Sequence, residues 1–409
     1  MKTRKVLAML LVLVFVFALT AGCGNNDANN AGTPAGDGQG TGEDDNQQAE
    51  GDTITIGVNF ELSGDLASYG QSKINGVKIA LEEINENGGI LGKTVVLKEY
   101  DNKGDNAEAV NLATRLMGED KVPVMMGPVT SGRVMAAISV AKQFQIPMVT
   151  GTGTSAGITV NDDGSVNDFV YRICFIDPYQ GNLAANFAAD SLGLKTAAML
   201  VNQSDEYSIK MAEAFKETFT AKGGAIVEEA SFMQGDMDFK AALTSINAKN
   251  PEMIFVPNYY EPDALIAKQA QEVGYEGYLI GGDGWDNLDH LIATAGAEAL
   301  QKTYFIGHYF SGDTDAKNVA FVEKYKALTG SNPPSFAALG YDTMYFVKDA
   351  IERAGSLDPA AINQAMAETK GFSGITGTFD MGENHDPIKS AVVIGFDADG
   401  NYVLKEKVQ

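Results

Sequence analysis

From Thr53 onward the chain alternates two patterns. Ile54, Ile56, Val58 and Phe60 occupy every second position, which predicts a strand. Ile74, Val77, Leu81 and Ile84 follow at spacings of three and four, which predicts a helix that Asn87-Gly88-Gly89 ends. The rhythm repeats: a strand at 94–100, a helix carrying Ala109, Leu112, Ala113 and Leu116, and a short apolar run at 123–127. A helix with Val134, Ala137, Ile138 and Ala141 then leads to a strand at 146–150. A second series begins near Leu183. Helices at 182–192, 208–221, 238–248 and 262–273 lead to strands at 197–201, 225–232, 253–257 and 277–282. A strand at 302–309 precedes helices at 317–329 and 335–354. Short apolar runs between amphipathic helices predict an α/β fold whose parallel sheets are covered on both faces. One such sheet rarely needs so long a chain, so two doubly wound parallel-sheet lobes are expected.

Residues 1–52 break the pattern. Lys2, Arg4 and Lys5 precede an apolar run from Val6 to Leu19, followed by small residues, as in a secretory signal peptide spanning 1–22. Leu19-Thr20-Ala21-Gly22-Cys23 looks like a lipobox, with Thr20 departing from the usual Leu. A lipid on Cys23 gains about 0.8 kcal/mol per buried CH₂, so two or three acyl chains would anchor the chain outside the cell membrane. Residues 23–52 hold seven acids, no Lys or Arg and almost no apolar side chains, so an acidic disordered linker is expected.

Charge narrows the function classes. The 409 residues carry 30 Lys and Arg against 54 Asp and Glu, a formal net charge of −24, which argues against nucleic-acid binding. Two Cys and three His exclude a disulfide scaffold and a Cys-rich zinc site. No metal or other cofactor is expected.

In open α/β sheets, ligands sit beyond the carboxyl ends of the strands. The segments there are Leu62 to Gly70, Pro128-Val129-Thr130-Ser131-Gly132, Gly151-Thr152-Gly153-Thr154-Ser155, Asn202 to Tyr207, Asn258 to Pro262, and Asp283-Gly284-Trp285-Asp286. Ser131 opens a helix, where its hydroxyl and free backbone N–H groups suit an anion; a plain N-cap is the simpler alternative. Thr152 and Thr154 stand in a Gly-rich turn. Asp283, flanked by glycines, suits an ammonium group, or is a solvated turn acid. A carboxylate site in one lobe facing an ammonium site in the other describes a zwitterionic α-amino acid. Val129, Tyr69, Tyr207, Tyr260, Trp285 and Phe336 could line the remaining space, although core packing is the favoured reading of any one of the aromatics taken singly.

The motifs at 54–105, MMGPVTS (125–131), IPMVTGTGTS (146–155), YEPDALIAKQAQEVGY (260–275), GDGW (282–285) and 333–355 resemble the leucine/isoleucine/valine-binding family of substrate-binding proteins that feed ABC transporters. The resemblance runs from Thr53 to the C-terminus. It implies a type I periplasmic-binding-protein fold, two lobes joined by three crossover strands near 173–177, 306–310 and 373–377. Lobe one would be 53–172 with 309–372, and lobe two 173–308 with 373–409. It also implies that Ser131, Thr152 and Thr154 hold the ligand carboxylate, that Tyr207 comes from the second lobe, and that Asp283 takes the ammonium. Several relatives use Glu at that last position. Tyr69 would stand near the ligand side chain. Some relatives carry a disulfide in lobe one, but here Cys174 stands alone. Binding by hinge closure would follow, then delivery to a membrane permease with its ATPase subunits; a monomer is expected.

Two rivals remain. Gly153-Thr154-Ser155-Ala156-Gly157 matches the G-x-S-x-G elbow of hydrolases, but His290, His308 and His385 lie outside the strand-end segments chosen above. Gly92-Lys93-Thr94 and the spacing of Gly151, Gly153 and Gly157 miss the phosphate- and dinucleotide-binding patterns, so the chain is expected not to be an enzyme. A ligand-sensing receptor would look the same in sequence. Relatives of the fold also take amides, urea and aromatic acids. A methylene in an apolar pocket is worth only about 1–3 kcal/mol, so Leu, Ile, Val and Phe all stay open.

Overall fold

The structure is a computed structural model and describes residues 53–408. The signal segment, Cys23 and the linker lie outside the described residues.

Five parallel strands form the first sheet, in the order β2-β1-β3-β4-β5. They are β1 (Thr53–Phe60), β2 (Thr94–Asp101), β3 (Met125–Met126), β4 (Met148–Thr150) and β5 (Val170–Arg172). Ile54, Ile56, Val58 and Phe60 are all buried, as their alternation predicts. Helix α1 (Ala67–Glu86) buries Ile74, Val77 and Ile84. Helix α2 (Asn106–Thr114) is capped by Asp105, whose carboxylate accepts the Glu108 N–H at 2.8 Å, a contact worth about 1 kcal/mol. Helix α3 (Ser131–Phe144) follows β3.

The chain leaves this sheet after β5 and enters α4 (Asp177–Asn186). There follow β6 (Thr196–Asn202), α5 (Glu206–Ala221), β7 (Ala225–Phe232), α6 (Lys240–Ala248), β8 (Met253–Phe255), α7 (Tyr260–Glu272), β9 (Tyr278–Gly281), α8 (Leu288–Ala299) and β10 (Thr303–Gly307). The chain then returns to the first half with α9 (Ala316–Thr329), α10 (Ser335–Ala354) and α11 (Pro359–Ala367); α10 packs along α1.

Two features depart from the sequence reading. Residues near 373–377 do not cross. They belong to a hairpin of β11 (Phe372–Gly374) and β12 (Gly377–Phe379). Phe372 and Phe379 pack on Phe346 of α10, and Asp342 of α10 accepts the N–H groups of Ile375 and Thr376 at 2.8 and 2.9 Å. The chain joins the second sheet only at β13 (Ala391–Phe396), which continues into β14 (Tyr402–Val408). The second sheet is also mixed. Its order is β14-β13-β10-β9-β8-β6-β7, with β13 antiparallel to β10 and β14 antiparallel to β13. The tight turn at Asp397–Gly400 allows only an antiparallel pair, because a parallel pair needs a long crossover. Among the described residues no helix is long and apolar enough to cross a membrane.

Candidate functional site

The segments after β3, β4, β6, β8 and β9 converge between the two sheets. Val129, Thr130, Ser131, Thr152, Thr154, Tyr207, Tyr259, Asp283, Gly284 and Phe336 line one small cavity. About 10 Å³ of room is left among them, on the order of one water.

The first half supplies hydroxyls at a helix start. Gly127, at φ +97°, turns the chain out of β3; a Cβ there would meet the Asn59 carbonyl. Buried Glu61 clamps the next residues, accepting the N–H groups of Val129 (3.0 Å) and Thr130 (2.9 Å) and the Thr130 hydroxyl (2.8 Å). Ser131 is therefore not an N-cap. That position falls on Thr130, whose hydroxyl is turned to Glu61. Ser131 Oγ instead accepts the N–H groups of Thr154 and Ser155, both at 3.1 Å. This ties the two Gly-rich segments together at the positive end of α3. Thr152 is committed elsewhere: its hydroxyl donates to the Val129 carbonyl at 2.6 Å and accepts from Lys73 Nζ at 3.0 Å.

The second half supplies an acid among aromatic rings. Asp283 is buried; its backbone N–H donates to Gln180 Oε1 at 2.8 Å. Its carboxylate accepts the Tyr207 hydroxyl at 2.9 Å and lies 3.0 Å from His308 Nε2. Asp205 accepts the Tyr207 N–H at 3.0 Å and so fixes the start of α5. The Tyr259 ring stacks on Tyr207 at 4.9 Å, and the Tyr69 ring stacks on Phe336 at 4.2 Å. Burial holds the phenols of Tyr69, Tyr207 and Tyr259 protonated well above their usual range. Burial also lowers the His308 pKa, against the pull of Asp283. Asp177, at the first passage between the halves, is likewise buried, and burial pushes its carboxyl well above the usual range.

The halves touch across the cavity. Tyr69 Oη donates to the Gly284 carbonyl and accepts the Tyr260 N–H at 3.0 Å. Tyr260 Oη donates to the Asp65 carbonyl at 2.6 Å, and Asn287 Nδ2 donates to Ser68 Oγ at 2.7 Å. This is a closed arrangement.

Most of the residues picked from the sequence meet here: Ser131, Thr152, Thr154, Val129, Tyr207, Asp283 and Phe336 line the cavity, with Tyr69 behind Phe336. Two do not. Trp285 is buried in the core of the second half, its indole N–H donating to the Val256 carbonyl at 2.8 Å. Tyr260 stands outside the wall, and its neighbour Tyr259, the residue just before α7 begins, takes the wall; the helix starts at Tyr260, two residues ahead of the expected 262. Glu61, Lys73, Tyr259, Gln180 and His308 were not picked out. The expected strand 302–309 ends at Gly307, so His308 is in fact a strand-end residue, the one signal that could have found it. In the G-x-S-x-G segment, Ser155 Oγ is buried without a hydrogen-bond partner. The His385 ring is bonded to the Val170 carbonyl and His308 to Asp283.

Residues 53–401 match the family model described as periplasmic binding protein. The Leu/Ile/Val-binding protein BraC3 of Rhizobium johnstonii is 32% identical over 337 residues, covering 81% of this chain and 88% of that protein. The crystal structure of the branched-chain amino acid transporter substrate-binding protein LivJ from Streptococcus pneumoniae, in complex with isoleucine, superposes with a TM-score of 0.80 at 33% identity. That match covers 87% of this chain and 99% of LivJ. The leucine-binding protein LivK of Thermotoga maritima gives a TM-score of 0.80 at 34% identity, again over 87% of this chain and 99% of the other.

Proposed function

The chain belongs to the periplasmic binding protein family, and within it we propose an extracytoplasmic receptor for an apolar α-amino acid that serves an ABC importer. One observation carries the reading: a single cavity has hydroxyls and a helix start on one side and a buried carboxylate on the other, with aromatic rings between. A carboxylate at Ser131 and Thr154 and an ammonium at Asp283 would satisfy both ends at once. The isoleucine complex of LivJ and the naming of BraC3 support the same class of ligand.

The closed cavity is too small for an amino acid, so the ligand enters when the halves part. It would dock on Ser131 and Thr154 first. Tyr207 and Asp283 would then swing in, and the Tyr69–Gly284 and Tyr260–Asp65 contacts would re-form over it. Only the closed form engages both ends of the ligand, so binding shifts the population toward closure. Closure also lowers the local dielectric and strengthens each polar contact. In this reading the monomeric protein is held to the membrane by lipid on Cys23 and delivers its ligand to a permease.

Thermal unfolding of protein refolded to strip carried-over ligand tests the proposal, against the twenty amino acids, urea, small amides and benzoate. Ligand at 100 times its Kd adds about 2.7 kcal/mol, a readily seen shift. Stabilisation by Leu, Ile, Val or Phe is expected. Stabilisation by amides or urea alone would overturn it.

A further inference from the structure

Lys73 sits on the buried face of α1 and is fully buried. Its Nζ stands 4.8 Å over the Phe60 ring and donates to Thr152 Oγ1 at 3.0 Å. It belongs to no ion pair among the described residues. The acid that influences it most, Glu61, spends its oxygens on Val129, Thr130 and Asn102. Its stem packs against two glycines far apart in sequence: a Cβ on Gly151 would meet Thr343 Oγ1, the Leu339 carbonyl and, at 3.3 Å, Lys73 Cε, and one on Gly340 of α10 would meet the Lys73 backbone carbonyl, with Lys73 Cγ at 3.0 Å. The charge lies at the inner end of that stem, on Thr152. There Thr152 carries the contact forward, because its hydroxyl donates to Val129 O and both residues line the cavity. A buried, unpaired ammonium is costly unless a negative charge comes near it.

We infer that Lys73 is the fixed positive charge that selects a carboxylate, over an amide or other neutral group, at the Ser131 end of the cavity. This rests on the amino-acid reading above and names the residue that enforces its acid end. Lys73 acts through Thr152 and the local field, as a specificity-determining residue behind the wall.

The inference has a signature that packing alone would not produce. Burial lowers the Lys73 pKa to about 8; Glu61 and the Cys174 thiol, the titratable groups that face it, oppose that shift. Burial pushes Cys174 up to about 12, so it stays a neutral thiol near pH 8. A bound carboxylate stabilises the ammonium and raises its pKa. Binding near pH 8 therefore takes up protons, about 0.5 per site. Affinity for isoleucine then falls as pH rises above 8 and Lys73 loses its proton, a fall that a protein without Lys73 lacks.

The experiment is calorimetric titration with L-isoleucine and L-isoleucinamide at pH 8, each in two buffers of different ionisation enthalpy. It compares the wild type with Lys73→Met. The ligand's ammonium contributes equally in both proteins, so the difference reports Lys73. Expected are proton uptake by the wild type, its loss in the variant, and a loss of isoleucine affinity on the order of 10- to 100-fold. Should the variant not fold, the wild-type uptake and pH profile decide alone. Isoleucine binding to the wild type without proton uptake, or with equal affinity to Lys73→Met, would overturn the inference and leave the amino-acid reading standing. Equal affinity of the wild type for isoleucine and its amide, or failure to bind isoleucine at all, would overturn both.

Discussion

Replacing Asp283 with Asn removes one negative charge and leaves the shape of the cavity alone. The Asn carbonyl can still accept the Tyr207 hydroxyl, now at 2.9 Å from Oδ1. Its amide would face His308 Nε2, now 3.0 Å from Oδ2. His308 Nδ1 is buried without a partner, so the ring can move its proton there and accept from the new amide. Both contacts survive, and the change in folding stability should stay within about 1 kcal/mol. The ligand sees a larger change. A hydrogen bond to a charged group is worth about 1.5–3 kcal/mol, so Kd for isoleucine should rise about 10- to 150-fold. Benzoate, an acid without an ammonium, serves as the control and should lose nothing. The assay is calorimetric titration of both proteins, with chemical denaturation to confirm equal folding. Isoleucine binding to Asp283→Asn within about threefold of the wild type, a loss well under 1 kcal/mol, would refute the assignment. So would a parallel loss for benzoate, because a change in packing would weaken both.

Ser131→Ala leaves the buried N–H groups of Thr154 and Ser155 without their acceptor and should cost about 1–3 kcal/mol in denaturant unfolding as well as affinity for the acid. Trp285→Phe removes the indole hydrogen bond to the Val256 carbonyl, which keeps only the Asn258 N–H, and empties part of the core, so the melting temperature should drop while isoleucine affinity, measured well below it, stays unchanged. Stability should also depend on His308. Its folded pKa lies below the unfolded value, so the stability it lends is present above about pH 6.5 and is lost as pH falls toward the folded pKa. The raised carboxyls of Asp177 and Asp263 work in the opposite sense, so the test is the difference between wild type and His308→Gln in denaturation midpoints from pH 7 to 5; parallel curves would contradict it.

The α/β architecture was legible because the central strands are short apolar runs and the longest helices, α1 and α10, carry a clear apolar stripe, as in Ile54–Phe60 and Ile74–Ile84. Much of the cavity wall followed from one topological rule, since Ser131, Thr154, Tyr207 and Asp283 all come after strands. Phase limited the rest. With the helix starting at Tyr260 and not at 262, Tyr259 takes the wall in place of Tyr260, and Trp285, two residues past Asp283, turns back into the core. The polar groups behind the wall left no local mark. Glu61 and Lys73 carry no periodic signal in the sequence, and only tertiary structure reveals the clamp on 129–130 or the burial of Lys73 against Thr152. The C-terminal crossing was misplaced for a similar reason. The apolar residues at 372–379 are satisfied by Phe346 of α10, a long-range partner that periodicity does not register.

The central claim is that both charged ends of one small zwitterion are held between the two halves. Titration of the refolded protein at pH 7 with L-isoleucine, with L-isoleucinamide and with 3-methylpentanoate, which lacks the ammonium, tests it most directly. Tight binding of isoleucine is expected, with each one-ended analogue weaker by at least about 10-fold, the cost of one charge-assisted contact. Equal binding of either analogue would show that its missing end is not held, and would contradict the account.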